Sequence, residues 1–238
     1  PLFYRDFGVP DTVNGRFDMI VLHLTLVLDR MEAGTEAMRA LAYSVAAAHD
    51  AAARHPDAAE RAQNQAFVDL MIPVVKGWST ETGNEMAYLG VQVHGGMGFI
   101  EETGAAQHYR DARIAAIYEG TNGIQAVDLV TRKLPLDNGN TVAAYIKELR
   151  ATVSDVKASN APAFGETAKL LGEAVDSLER ATAWLLAQKS SSDALAGATP
   201  YLRLFGHAAG GCMLADQALA ALRDSGDAAA RTALARFF

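Results

Sequence analysis

DRMEAGTEAMRALAYSVAAAHDAAAR, residues 29–54, is the stretch that decides the fold class. Alanine is frequent in it and proline is absent, and alanine has the highest helix propensity of all residues. Side chains recur at helical spacing, so they form one stripe along the helix. The stretch therefore predicts a long helix with one buried face. That stripe comprises Met31, Thr35, Met38, Ala42 and Val45.

The same periodicity continues towards the C-terminus between short breaks. His55-Pro56-Asp57 interrupts it, and Asp57 can cap the next helix. Pro73 lies inside that helix and should kink it. Polar, turn-rich residues at 135–140 are a plausible domain boundary, and residues 190–193 and 225–227 separate the later segments. The predicted helices after the first span residues 58–93, 103–110, 119–134, 142–157, 164–188 and 200–222.

Towards the N-terminus the pattern weakens. Residues 1–16 contain Gly, Pro, Asp and Asn and are interpreted as loop, while residues 19–28 fit either a short strand or a helix start. The prediction is an all-α fold, with residues 1–28 as linker or truncated remainder, a helical bundle over 29–135 and a helical extension over 140–238. A start at Pro1 and an apolar end at Phe237 and Phe238 lead us to expect a fragment.

Composition narrows the classes of function. Half of the 238 residues are hydrophobic, 21% are charged and the net charge is −7, which argues against a nucleic-acid partner. The longest apolar run is too short to cross a bilayer, so no transmembrane segment is expected. Cys212 is the single cysteine, which excludes an intrachain disulfide and makes a metal cluster unexpected. These features fit a cytoplasmic protein.

The chemistry-bearing residues concentrate in three pieces: QVHGGMGF (92–99), YRDAR (109–113) and IYEGTNGIQ (117–125). The glycines of the first piece let the backbone approach another group closely. In the third piece, Glu119 lies at a predicted helix start, where a carboxylate can simply stabilise the helix N-terminus. The glycine beside it could instead open space for a substrate, and Tyr118 could limit solvation and make the carboxylate a stronger base. Spacing alone leaves both interpretations open.

The three pieces, in this order and spacing, resemble the C-terminal signature of the acyl-CoA dehydrogenase family. The tail after residue 140, with ATPYLRLFG at 198–206, is similar to the extension of a bacterial subgroup that includes methylthiopropanoyl-CoA dehydrogenase-like enzymes. The resemblance implies FAD-dependent oxidation of an acyl-CoA substrate to the trans-2-enoyl-CoA. It makes Glu119 the base for the α-proton, places Gly120 beside the thioester, and gives FAD contacts to Gln92, Gly95, Gly96 and Thr121.

The resemblance also implies partners and leaves alternatives. Gln92, Gly95 and Gly96 would touch FAD from a neighbouring subunit, so a homodimer or homotetramer is expected, with an electron-transfer flavoprotein as electron acceptor. Gly123 departs from the usual family pattern, which has Gln there. One alternative is a non-catalytic helical assembly module that lacks the flavin-binding domain. Another is an acyl-CoA oxidase that uses the same base.

Several other residues have structural explanations. Trp78 and Trp184 lie on apolar stripes and are predicted to be core, and Cys212 to be a small buried hydrophobe. His94 is interpreted as a polar loop residue. A cluster of Arg110, Asp111 and Arg113 could pair with substrate phosphate, but more often such a cluster is a structural ion-pair network.

Overall fold

The computed structural model describes residues 5–188, 191–223 and 227–238, and every regular element in these ranges is a helix. The predicted all-α fold class is therefore confirmed. Short 3₁₀ segments and one π-helical turn, Leu129–Lys133, join the longer elements. The α-helices are α1 (Val13–Arg54), α2 (Ala58–Val93), α3 (Gly96–Phe99), α4 (Ala105–Ala115), α5 (Asn122–Asp128), α6 (Asn140–Ser159), α7 (Thr167–Gln188), α8 (Ser192–Ala196), α9 (Ala198–Arg223) and α10 (Ala228–Phe237).

Helix α1 begins sixteen residues earlier than the sequence pattern predicted. Loop is the wrong assignment for residues 13–16, and residues 19–28, which fitted strand or helix, are helical. The Thr12 side chain caps the helix by accepting a hydrogen bond of 3.2 Å from the Gly15 amide. Asn14 and Gly15 suggested loop, but they occupy the first turn, where a poor helix former costs little. No break exists at residue 28, and residues 1–4 of the predicted linker lie outside the described residues.

Helices α1 and α2 form a long antiparallel hairpin. The Asp57 carboxylate caps α2 as predicted, accepting a hydrogen bond of 2.8 Å from the Ala59 amide. Helix α2 continues through Pro73 to Val93. Gly34 of α1 lies against α2, because a Cβ there would be 3.0 Å from the Met86 sulfur. The hairpin is the frame on which the later segments pack.

The three helices predicted after residue 140 are present as α6, α7 and α9, each within three residues of the expected bounds. The turn before them contains Asp137 and Asn138 with positive φ, as expected for the turn-rich boundary. Of the two later breaks, Ser190, Ser225 and Gly226 lie outside the described residues. Helix α9 is the central element, since it packs against α1, α2, α6, α7 and α10.

One hydrophobic core joins the hairpin to the C-terminal helices. Trp78 of α2 is only 1% exposed and lies against the backbone of α9, where a Cβ at Gly206 would be 2.1 Å from the indole Cγ. The Phe238 ring packs edge-on against Trp78, with 6.3 Å between ring centroids. The glycine-rich part of α9 therefore packs closely against α2. The apolar character of Phe238 is accounted for by this packing.

The three side chains predicted to be buried have different outcomes. Trp78 is core, as expected, and so is Cys212, whose burial raises the pKa of its thiol to about 12. Trp184 is not core, because 47% of its surface is exposed on α7. The apolar stripe of α7 is wider than the face that α7 buries, so a residue at the edge of the stripe faces outward.

Candidate active site

Glu119 lies in a tight turn between α4 and α5, and its backbone is in the left-handed region. Its φ is +53°, and the next residue, Gly120, has a φ of +83°. A non-glycine residue in this region costs on the order of 1 kcal/mol or more, and it persists only where the surroundings hold it. Such strain is concentrated at functional sites, so the turn itself marks Glu119 as a candidate.

Side chains from two helices hold the carbonyl groups of this turn. The Gln125 side-chain amide of α5 donates a hydrogen bond of 3.3 Å to the Glu119 carbonyl oxygen. The Lys76 ammonium of α2 donates one of 2.6 Å to the Gly120 carbonyl oxygen. The turn is closed by the Asn122 amide, which donates to the Ala116 carbonyl at 3.2 Å. Glu119 and Gly120 are thus both held by side chains from outside the turn.

A polar stripe on α2 supports the whole segment. Lys76, Thr80 and Asn84 recur every four residues and face α4 and α5. The Asn122 Oδ1 accepts from the Lys76 ammonium at 3.1 Å and from the Thr80 hydroxyl at 3.0 Å. Asn84 donates to the Ala112 carbonyl at 3.3 Å. Lys76, Thr80 and Asn84 were not singled out from the sequence, because α2 contains many other polar residues that obscure their four-residue spacing.

Glu119 is not the hydrogen-bonding cap of α5. Thr121 is the N-cap, and its hydroxyl accepts a hydrogen bond of 3.3 Å from the Ile124 amide. Glu119 lies two residues before this cap, and stabilisation of the helix N-terminus by its negative charge remains compatible with the arrangement. The Thr121 hydroxyl proton remains available to donate, because a hydroxyl can donate while it accepts. Glu119 is exposed and Tyr118 is 51% exposed, so the shielding expected from Tyr118 is not present within this chain.

Gln92, Gly95 and Gly96 lie away from the Glu119 turn. The turn contacts α2 around Lys76 and Thr80, whereas Gln92 is near the end of α2, roughly 20 Å further along at 1.5 Å per residue. Gly95 has a φ of +59°, and a Cβ at Gly95 or Gly96 would have no neighbour within 4 Å. The structure therefore brings Glu119, Gly120 and Thr121 together and separates them from the glycine loop.

Arg110 and Asp111 of the predicted charged cluster bond to nearby side chains. Arg110 donates to Glu101 at 3.3 Å, and the uncharged Gln107 donates to Asp111 at 2.6 Å. These groups are exposed, as is Arg113, the third member of the cluster. The structure therefore supports the ion-pair interpretation for Arg110. His94 is an exposed polar residue at the end of α2, and its ring Nδ1 lies 2.8 Å from the Gly90 carbonyl oxygen.

Large apolar side chains surround both parts of the site and are exposed. Phe99 is 81% exposed, and four isoleucines and a methionine on α3 to α5 and their connections are more than one third exposed. An apolar surface of this kind is typical of a face that another protein surface covers. The exposed isoleucines and the methionine of this surface are Met97, Ile100, Ile114, Ile117 and Ile124.

Two features are absent from the described ranges. No cluster of three or more His, Cys, Asp and Glu side chains there could hold a metal ion. None of the helices in the described part of the chain has the length and apolarity needed to cross a membrane.

The fold and the site together define an all-helical domain that presents a strained glutamate on an open apolar face. Residues 23–134 match the family described as acyl-CoA dehydrogenase, C-terminal domain, and residues 145–238 match acetyl-CoA dehydrogenase C-terminal like. The chain belongs to the acyl-CoA dehydrogenase family and corresponds to its C-terminal helical region.

Individual relatives agree with this assignment. The chain is 44% identical over 207 residues to 3-methylmercaptopropionyl-CoA dehydrogenase of Ruegeria pomeroyi, covering 85% of this chain and 35% of that protein. It is 29% identical over 190 residues to a butyryl-CoA dehydrogenase of Syntrophomonas wolfei, covering 79% and 31%. The crystal structure of Caenorhabditis elegans ACDH-11 in complex with C11-CoA has a TM-score of 0.74 at 19% identity, covering 91% of this chain and 35% of that one. The chain spans about one third of each of these proteins.

Proposed function

We propose that Glu119 removes the α-proton of an acyl-CoA thioester during oxidation to the trans-2-enoyl-CoA. The observation that carries the proposal is the held, left-handed turn that presents an exposed carboxylate. The α-proton is weakly acidic, so its base must be aimed accurately, and a backbone fixed on both sides of Glu119 meets that need. The proton leaves the α-carbon for the carboxylate, and the β-hydrogen leaves as hydride.

The hydride acceptor that fits this reaction is FAD, which supplies the two-electron chemistry when it is bound. Gly95 and Gly96 leave uncovered backbone, and the exposed Gln92 side chain lies beside them, so this loop can accept a flat or phosphate-bearing ligand. Thr121 keeps a free hydroxyl proton near Glu119. The residues present therefore fit the FAD contacts that the resemblance implied.

The separation of roughly 20 Å between the two parts supports an oligomeric site. If Thr121 contacts the FAD of its own subunit, Gln92, Gly95 and Gly96 are free to contact the FAD of a neighbour. The exposed apolar face around Phe99 and Ile114 would then be covered in a homodimer or homotetramer. An electron-transfer flavoprotein as acceptor and a cytoplasmic location are the remaining parts of the proposal.

One observation favours a second candidate. Within this chain Glu119 is exposed, and the side chain of the preceding Tyr118 is half exposed. The 238 residues on their own would then be a non-catalytic helical assembly module. Incubation of the purified chain with FAD, followed by gel filtration and a visible spectrum, separates the two states: bound flavin argues against a pure scaffold, and a colourless protein supports it.

The test of the main proposal is Glu119→Gln in a full-length enzyme that contains this chain. We expect turnover to fall roughly 10²- to 10⁴-fold, because an amide cannot take the proton, with flavin absorbance per subunit unchanged. Glu173→Gln on α7 is the matched control and should keep full activity. The substrate panel should include 3-methylmercaptopropionyl-CoA and butyryl-CoA, the substrates in the relatives' names. Full turnover by Glu119→Gln would refute the assignment.

A further inference from the structure

We infer that Lys76 is the positioning residue for Glu119, acting through the backbone of the turn rather than on the substrate. The inference rests on the proposed function, since it concerns how the same carboxylate is aimed. Its basis is a contact across 44 positions of sequence: the Lys76 ammonium donates to the carbonyl oxygen of Gly120, the residue next to the base.

The contact is of the strong kind. A hydrogen bond from a charged donor is shorter and stronger than one between neutral groups, and this one measures 2.6 Å. The same ammonium donates to the Asn122 side chain on the other side of Thr121. Lys76 therefore ties together two positions of the turn, one beside Glu119 and one in the first turn of α5.

The orientation of Asn122 is itself fixed. Its Oδ1 accepts from Lys76 and Thr80, while its Nδ2 donates to Glu81 at 3.0 Å. All three of these partners lie on α2, so the amide has one orientation that satisfies them. The position of the turn relative to α2 is thus fixed by Asn122 as well as by the Gly120 carbonyl.

Helix α2 is a rigid base at this point. The two residues after Lys76 are buried: a Cβ at Gly77 would be 2.9 Å from a Leu202 methyl group, and Trp78 lies against Gly206. Packing of α2 on α9 therefore fixes the position of the Lys76 Cα. The hydrogen bond from the Lys76 ammonium then holds the Gly120 carbonyl relative to this fixed backbone. Without the ammonium, the Gly120 carbonyl would lose its only described partner, and Glu119 could relax from its strained φ.

The experiment compares Lys76→Met with Lys147→Met in the full-length enzyme. Methionine keeps most of the side-chain length and removes the donor, and Lys147 is an exposed lysine on α6. For Lys76→Met we expect kcat to fall about 10- to 100-fold, the scale of a misplaced reacting group. KM should change less than about threefold, because the substrate is not contacted. Lys147→Met should resemble the wild type in both constants.

Two readouts separate positioning from general damage. The deuterium isotope effect for α-deuterated substrate should rise in Lys76→Met, since proton removal becomes the slow step. Hydrogen–deuterium exchange of the backbone amides of residues 120–122 should accelerate. The flavin content and the melting temperature of Lys76→Met should equal those of Lys147→Met. Thr80→Val, which removes the second donor to Asn122, should lower kcat by about 2- to 10-fold. If Lys76→Met does not fold, the kcat of Thr80→Val is measured in its place.

Unchanged kcat in Lys76→Met or Thr80→Val would overturn the inference. A raised KM with unchanged kcat would also overturn it, because it would mean that Lys76 binds the substrate. Glu119→Gln distinguishes these failures from failure of the proposed function: if Glu119→Gln is inactive and Lys76→Met is fully active, only the positioning role is wrong. If Glu119→Gln is active, the base itself is misassigned.

Discussion

The contact between Trp78 and Gly206 makes a quantitative prediction about stability. Gly206→Ala would place a Cβ 2.1, 2.4 and 2.5 Å from three ring carbons of the indole. Carbon atoms pack at about 3.5–4.0 Å, so Trp78 or α9 must move by more than 1 Å. Trp78 is 1% exposed and packed on all sides, so the movement has no free space to use.

The magnitude follows from two opposing effects. Overpacking a close-packed core costs about 1–3 kcal/mol and sometimes more, and the overlap here justifies the upper end. Replacing glycine by alanine inside a helix returns about 1 kcal/mol. We therefore expect Gly206→Ala to lower the free energy of unfolding by about 2 kcal/mol. At about 2–4 °C per kcal/mol for a protein of this size, the melting temperature should fall by about 4–8 °C.

Gly172→Ala is the matched control, and thermal and chemical unfolding are the assays. Gly172 lies inside α7, and a Cβ there would be 3.7 Å from its nearest neighbour, an ordinary contact. It keeps the propensity gain without the overlap, so its stability should rise by up to about 1 kcal/mol. In a Trp78→Leu background, Gly206→Ala should lose most of its penalty. If Gly206→Ala and Gly172→Ala shift stability equally and in the same direction, the packing argument is refuted.

Two further predictions concern buried polar groups in the same region. Burial lowers the pKa of His207 from its ordinary value of 6.5, so the unfolded chain binds the proton more tightly and stability falls as the pH drops below 6.5. His207→Phe should flatten that part of the unfolding profile, and an unchanged slope would contradict the assignment. The Thr182 hydroxyl donates to the Leu178 carbonyl oxygen, so in the buried hydrogen bond of 2.6 Å between Tyr201 and Thr182 the Tyr201 hydroxyl is the donor. Tyr201→Phe should cost about 0.5–1.5 kcal/mol in urea unfolding, and no loss would show the bond to be energetically neutral.

Local sequence signals predicted most of the fold. Alanine-rich periodicity predicted the helices and Asp57 predicted a helix start, because helix propensity and capping act within a few residues of the chain. The start of α1 was wrong because glycine and asparagine do not distinguish a loop from a first helical turn. The prediction that Trp184 is core was wrong, because helical spacing defines an apolar stripe but not how much of that stripe a neighbouring helix covers.

The candidate site was proposed on a different basis. Glu119 was proposed as the base from the resemblance of its motif, and the structure adds the strained φ and the open surface on which it lies. Lys76 and Thr80 could not be paired with the turn beforehand, because the pairing depends on the register of α2 against α4 and α5. That register is set by tertiary packing more than forty residues away in sequence.

The interlock of Trp78 with Gly206 bears on how this protein could exchange parts with its relatives. The turn at residues 135–140 is an obvious crossover point in the chain, but the two sides of it fill each other's space in the core. A C-terminal segment from a relative with any side chain at position 206 would collide with the indole. A relative's hairpin with a smaller residue at 78 would leave a hole beneath α9. Segments exchanged at this point should therefore keep residues 78 and 206 matched.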